Sequence, residues 1–184
     1  RVTGVDAAAC DEWIGHLRTL AGSGDDAADA YDRAAAGYES AAPDDPAIAS
    51  LVVAVRQAGT GNFAAMAETM SSVPRRGINS FLAPLMEGWA HVGGGDVEAG
   101  LAAIAPLAEA EELRTIRLFH AGMMNAVAGR AERAADLYAE TLRSKGGVSL
   151  RAVEEIGAFH MRRGAEDRAR EVFAAYAAEH PASL

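Results

Sequence analysis

Apolar residues fall at helical steps of three and four along most of this chain. Leu118, Phe119, Met123, Ala126 and Val127 keep that rhythm before Gly129, and Ala134, Leu137, Tyr138, Thr141 and Leu142 keep it after. A glycine between two such stretches ends the first helix, because only a residue free to adopt positive φ lets the chain reverse there. Gly61, Gly95, Gly129 and Gly164 recur at steps of 34, 34 and 35 residues. One helix–turn–helix unit is therefore copied along the chain. The polar residues at Gly61-Asn62 and Gly95-Asp96 add the turn chemistry such a reversal needs.

The pattern predicts an all-α protein of ten helices in five antiparallel pairs. The expected spans are 7–21 with 25–41, 47–58 with 62–72, 79–93 with 96–109, 112–128 with 131–144, and 149–163 with 166–179. Leu51-Val52-Val53 is too short an apolar run to outweigh the helical pattern around it. Pro84 fits if the fifth helix starts near Phe81, where first-turn amides are free anyway. Pro106 is expected to kink the sixth helix or end it early. Ser80 and Ser149 read as helix N-caps.

A second glycine rhythm, Gly88, Gly122 and Gly157, runs seven residues ahead of the first and falls inside helices. Glycine there costs about 1 kcal/mol relative to alanine, so close approach of a neighbouring helix is expected at each. The second helices carry a small residue at Ala27, Gly100, Ala134 and Ala169, followed four later by Tyr31, Ile104, Tyr138 and Phe173. Small and large positions alternate on one face, as interdigitating helices require.

The run Gly157–Gly164–Ala169–Phe173–Pro181, closed by Glu-His-Pro, resembles a tetratricopeptide repeat. In that family a small residue lies midway along the first helix, alanine and an aromatic lie in the second, and proline ends the unit. The units around Gly88/Gly95 and Gly122/Gly129 match well. The unit ending at Pro74 matches in part, with Ala54 in the first helix and Met66 where alanine is expected. The first, with Gly15, Gly22, Ala27, Tyr31 and Ala34, is stretched: Gly22 precedes Gly61 by 39 residues, and Ala42 to Pro46 forms the linker. The resemblance implies one domain over 1–184, an α-solenoid wound as a right-handed superhelix, with units near 7–41, 47–73, 79–109, 112–144 and 149–181. The alanine-rich style is similar to that of repeat proteins from high-GC bacteria.

In a tetratricopeptide-like arrangement, the stripe of each first helix three before and one after the mid-helix small residue lines the concave groove. Here that stripe gives Leu51 and Val55, Leu85 and Trp89, Phe119 and Met123, then Glu154 and Ala158 with Met161 nearby. The family's clamp for a terminal carboxylate uses lysine, arginine and asparagine, and the stripe lacks them. An apolar groove for an amphipathic partner helix, with methionine as adaptable contact, competes with ordinary core packing.

Bulk properties narrow the partners. A net charge of −9 disfavours a nucleic-acid surface and docking on anionic lipid. No apolar run approaches the ~18 residues of a membrane span. Cys10 is alone, so it forms no internal disulfide, and with only His16 near it in sequence a reactive thiol is not expected. The chain opens on Arg1-Val2-Thr3, expected either of a chain whose leader was removed or, in preference, of a piece cut from a longer protein. Localisation, cytoplasmic or periplasmic, and oligomeric state stay open.

Candidate chemistry is sparse. His16, His91, His120, His160 and His180 show no i, i+4 pair and no HExxH, so no metal is expected. His91 and His160, three residues after mid-helix glycines, are expected to pack between helix pairs. Gly59 to Asn62 and Gly93 to Gly95 are turns, because neither follows a strand nor precedes the Lys-Ser/Thr of a phosphate loop. The serines lack a nucleophile elbow. Glu109, Glu111, Glu112, Glu154 and Glu155 fall at helix starts or solvated faces. Arg75-Arg76, Arg114 with Arg117, and Arg162-Arg163 sit beside acids, as a solvated surface would. No enzyme activity and no cofactor is expected. The reading is a non-catalytic interaction scaffold for a protein or peptide partner. A carrier of a lipid-like ligand, a spacer within a longer superhelix, and a module fused to an enzyme are the alternatives.

Overall fold

The computed structural model describes residues 4–20, 22, 24–43, 47–144 and 148–180. Arg1-Val2-Thr3, the Asp44 to Pro46 part of the expected linker, and Pro181 lie outside the described residues. The fold is all-helical, and no strand occurs among the described residues. Two compact units divide the chain, residues 1–104 and 105–184.

The first unit holds α1 (Gly4–Leu20), α2 (Gly24–Ala41), α3 (Ala47–Gly59), α4 (Phe63–Ser72), α5 (Asn79–Gly93) and α6 (Val97–Ile104). The second opens with a short 3-10 helix, Ala105–Glu109, followed by α7 (Glu111–Val127), α8 (Ala131–Leu142), α9 (Leu150–Arg162) and α10 (Glu166–Glu179). Helices pair in order, α1 with α2 through α9 with α10, as tetratricopeptide-like hairpins. None of the described helices is long and apolar enough to cross a membrane.

Each hairpin turn is the same local device. Gly61, Gly95, Gly129 and Gly164 have φ of +72°, +91°, +73° and +70°. At the last three-residue turn but one, the Gly129 amide donates to the Ala126 carbonyl at 3.1 Å and the Arg130 amide to Asn125 at 2.9 Å. The same pair of bonds recurs at Gly61, Gly95 and Gly164. This double closure satisfies the last carbonyls of the first helix and fixes the reversal. Asn62 and Asp96 then cap the next helix by accepting from the Ala65 and Ala99 amides.

The mid-helix glycines have a more specific reason than the expected approach of a neighbouring helix. A Cβ on Gly122 would lie 2.7 Å from the Tyr138 ring, and one on Gly157 would lie 2.5 Å from the Phe173 ring. Gly15 faces Tyr31 in the same way, at 2.7 Å. The ring of the second helix thus lies flat on bare backbone of the first, within one hairpin. In the third pair backbone approaches backbone, since a Cβ on Gly100 would sit 2.7 Å from the Gly88 carbonyl oxygen.

Small residues make this closeness possible along the rest of each interface. Ala27, Ala134 and Ala169 are 2%, 0% and 2% exposed. Around them, Met70, Ile104, Leu118, Met124, Tyr138 and Ile156 are nearly sealed from water. Each side chain of this size contributes about 1.5–3 kcal/mol on full burial.

Two expectations near the third pair need correction. α5 spans Asn79–Gly93, the expected 79–93, so the first-turn place for Pro84 that a start near Phe81 would give does not hold: Pro84 lies in the second turn and is buried there. It removes one intrahelical bond that the packed position tolerates. Ser80 is inside α5 and is no N-cap; its hydroxyl donates to the Gly77 carbonyl at 2.8 Å. Ser149 does cap α9, accepting from the Ala152 amide. Pro106 ends α6 early: the helix stops at Ile104 and continues as the 3-10 turn, because proline has no amide to donate and its ring crowds the preceding turn.

The ring-on-glycine contact generates a paired prediction. Tyr138 is fully buried and has nowhere to move, whereas Phe173 is 42% exposed. Gly122→Ala should lower stability by about 1–3 kcal/mol through overpacking, despite alanine's better helix propensity. Gly157→Ala should be near neutral, because the Phe173 ring can swing outward. Urea and thermal unfolding of the two variants check the difference; equal effects would show that the rings do not set these glycines.

Candidate functional site

The groove stripe predicted in the first unit rides on α3 and α5, and its members have different surroundings. Leu51 is half-buried and packs toward α4 and α5, against the cluster of Ala54, Met66, Met70 and Ala83. Val55, one turn later, packs toward α2 with Tyr31, Ala34 and Val52. α3 is thus wedged between its neighbours, and its two stripe residues serve opposite interfaces. Leu85 on α5 is buried at 7% exposure, and Trp89 one turn on is half-buried.

In the second unit, Phe119 and Met123 project one turn apart from α7. Both pack on the cluster of Tyr138, Val153, Ile156 and Phe159. The Phe119 ring centroid is 6.2 Å from that of Tyr138, which is 5.0 Å and edge-on to Phe159. An edge-on contact such as Tyr138–Phe159 adds about 0.5–1.5 kcal/mol beyond area burial. Phe119 and Met123 nevertheless border separate clefts. Phe119 lines one of about 430 Å³ with Thr115, Ile116, Val148 and His180. Met123 lines another of about 380 Å³ with Ala126, Val127, Phe159, Glu155, Arg162 and Arg163. Met161 stands 51% exposed on α9.

The Met123 cleft joins an apolar floor to a charged rim. Arg162 donates to Glu155 at 2.8 Å, and the Arg163 guanidinium lies 5.8 Å from the Phe159 ring centroid. Arg75 pairs with Glu87, and Arg114 lies 3.8 Å from Glu140, so these basic residues have acidic neighbours as the sequence implied. Val127, 68% exposed, was not singled out for this surface. It falls four residues after Met123 on the same helical face, and carrying the stripe one more turn finds it.

A third cleft, about 510 Å³, lies among α8, α9 and α10 and is lined by His160 with Asp136, Arg143, Arg168, Glu171 and Val172. His160 therefore packs between helix pairs, as its spacing implied. Burial lowers its pKa, the Arg168 and Arg163 charges lower it further, and Glu171 opposes them. Burial also lowers that of His120. Both imidazoles are neutral at pH 7. Cys10 is exposed. No group of three His, Cys, Asp or Glu side chains is gathered as a metal would need among the described residues.

Among solved structures, the crystal structure of MamA protein is similar to this chain, at 19% identity over 96% of this chain and 93% of that one, with a TM-score of 0.49. No protein-family model matches the chain, and no curated protein matches it in sequence. The fold described above stands on the helix pairs themselves.

The Tyr138 hydroxyl lies in the cluster of the Phe119 and Phe159 rings. It is buried without a protein hydrogen-bond partner. Burial pushes its pKa up to about 12, the Glu155 charge raises it and the Arg162 charge opposes. With the folded pKa above the unfolded value of 10.0, the unfolded chain releases this proton first. Stability from Tyr138 is thus complete below pH 10 and declines toward pH 12. Thermal melts across that window should fall, and fall less steeply in Tyr138→Phe. An unchanged slope in that variant would place the titration elsewhere.

Proposed function

We propose that the chain is a non-catalytic protein-interaction scaffold whose first-helix stripes receive an apolar or amphipathic helical segment of a partner. Leu51, Val55, Leu85 and Trp89 serve in one unit, with Leu85 as backing. Phe119, Met123 and Met161 serve in the other. One observation carries the reading: large or polarisable apolar side chains recur at the same register on successive first helices, yet Trp89, Phe119 and Met123 stay only partly covered. In the second unit Met123 adjoins a cleft whose floor is apolar and whose rim is ionic. A helix with one oily face and polar flanks fits that division, with methionine adapting to the shape presented.

A carrier for a lipid-like ligand would use the same apolar floor. Native mass spectrometry of protein purified from its cells separates the two, since a carrier retains a small mass and a scaffold a polypeptide.

The direct experiment titrates the protein with a synthetic amphipathic peptide bearing leucines at helical i, i+3, i+4 and i+7 spacing. Trp89→Ala and Met123→Ala should each weaken binding. A loss of about 2 kcal/mol, or roughly 30-fold, is expected where the side chain is a central anchor. The far-ultraviolet circular dichroism should stay unchanged. Variants that lose their cooperative melt while binding is unaltered would assign these residues to the core and remove the reading.

A further inference from the structure

The Met123 cleft holds a guanidinium that no neighbouring carboxylate neutralises. The cleft lies in the second unit, between α7 and α9, and its charged lining residues are Glu155, Arg162 and Arg163. The Glu155 carboxylate accepts from Arg162 at 2.8 Å, which leaves Arg163 as the surplus charge. The acids that follow on α10 are taken as well, Glu166 and Asp167 by Arg170 and Glu171 by Arg168. Arg163 makes no ion pair among the described residues; its guanidinium is held over the Phe159 ring, 5.8 Å from the centroid. An aromatic face attracts a cation without using any of its N–H donors. Arg163 therefore stands exposed at the rim with its donors still to be met.

The floor beside it is apolar and partly open. Met123 and Ala126 are half-buried, Val127 is exposed and Phe159 closes the bottom. Arg163 follows Phe159 by four residues at the end of α9, and Val127 follows Met123 by four on α7. Residues so spaced share a helical face, with about 5–6 Å between their Cβ atoms. The same distance separates side chains one turn apart on any helix laid in the cleft. An apolar side chain on the floor thus brings its neighbour one turn away to the level of Arg163.

We propose that this cleft recognises two side chains one helical turn apart on the partner segment, an apolar one on the floor and a carboxylate on Arg163. The inference rests on the reading that the stripe receives a partner helix, and it adds the sign of that helix's polar edge. Paired N–H donors in a fixed plane match a carboxylate, so the contact sets register as well as attraction. Charge decides the occupant. A cationic edge would compete with Arg162 for Glu155 and place three cations around one acid. A neutral edge would strip water from Arg163 without returning a counter-charge. The chain as a whole carries −9, so the attraction is local to Arg163 and does not come from the overall field.

The test titrates the whole chain with the amphipathic leucine peptide in three forms, bearing Glu, Gln or Lys one turn beyond each end of its leucine stretch. At low salt the Glu form should bind roughly 5- to 10-fold tighter than the Gln form, as a charge-assisted contact partly shielded by the partner gives, and the Lys form should bind most weakly. Arg163→Gln should erase the preference and Arg163→Glu should reverse it in favour of Lys, both with unchanged circular dichroism. Arg133→Gln removes the same charge from an exposed position of α8 outside the cleft and should keep the preference. Equal binding of the Glu and Gln forms, a Glu preference that survives Arg163→Gln, or one that is lost in Arg133→Gln would each overturn the proposal and leave the partner-helix reading standing. Binding of none of the three peptides would remove both. Dodecanoate binding that depends on Arg163, with no discrimination among the peptides, would give the site to a free fatty acid and overturn the proposal too.

Discussion

The contact on which three of these hairpins depend is a ring laid on a glycine sixteen residues before it. The geometry follows from the turn. Gly122 stands seven residues before Gly129 and Tyr138 nine after it. At about 1.5 Å per residue the two climb to the same height, roughly 10 Å from the turn, on antiparallel helices. With no Cβ at Gly122 the ring reaches the backbone, and the helices close around it. Gly15 with Tyr31 and Gly157 with Phe173 keep the same step and contact, and the same step separates Ala54 from Met70 and Gly88 from Ile104, where no ring stands. The period of the chain and the depth of each hairpin are therefore one constraint. Lengthening a helix between glycine and turn would lift one partner off the other.

The same constraint explains why so much of the fold is legible from residues alone. A glycine that must adopt positive φ is a local demand, and so is a small residue under a ring. Both leave marks at fixed positions whatever the surroundings. Helix ends set by these turns, such as Gly59 and Phe63, or Val127 and Ala131, fall within a residue or so of where periodicity puts them. The start of α5 falls at the expected Asn79, but its capping and the place of Pro84 do not follow from the sequence. It follows Pro74 to Ile78, where Gly77 at φ +53° takes the Ser80 hydroxyl bond and Ile78 is already helical. Several residues there can cap or continue a helix, and tertiary packing around the buried Pro84 decides among them. The aromatic reason for the mid-helix glycines was hidden for a related cause: spacing marks a close approach but not what approaches.

The candidate stripe was readable as a list of positions, not as a set of exposures. Leu85 and Trp89 differ by one turn in the sequence, yet one is core and the other partly open. Val127 reads as an ordinary late-helix residue and is among the most exposed large apolar side chains. Periodicity gives the direction in which a side chain points. How far the next helix covers it depends on crossing geometry, which no single helix encodes. Phe119 illustrates the overlap, since its ring both supports the Tyr138–Phe159 cluster and borders a cleft. In a stack of helix pairs a half-buried residue belongs to the fold and to the surface together.

That double membership bears on the first and last helices most directly. In a tandem array each pair covers the pair before it, and a helix face without such cover can turn polar. Much of α10 has done so, with Arg168 paired to Glu171 and Arg170 to Glu166 and Asp167. Phe173 and Ala174 have not, and neither have Cys10, Trp13, Ile14 and Leu17 on α1. Contiguous exposed apolar side chains of this kind mark a face on which another element or molecule packs.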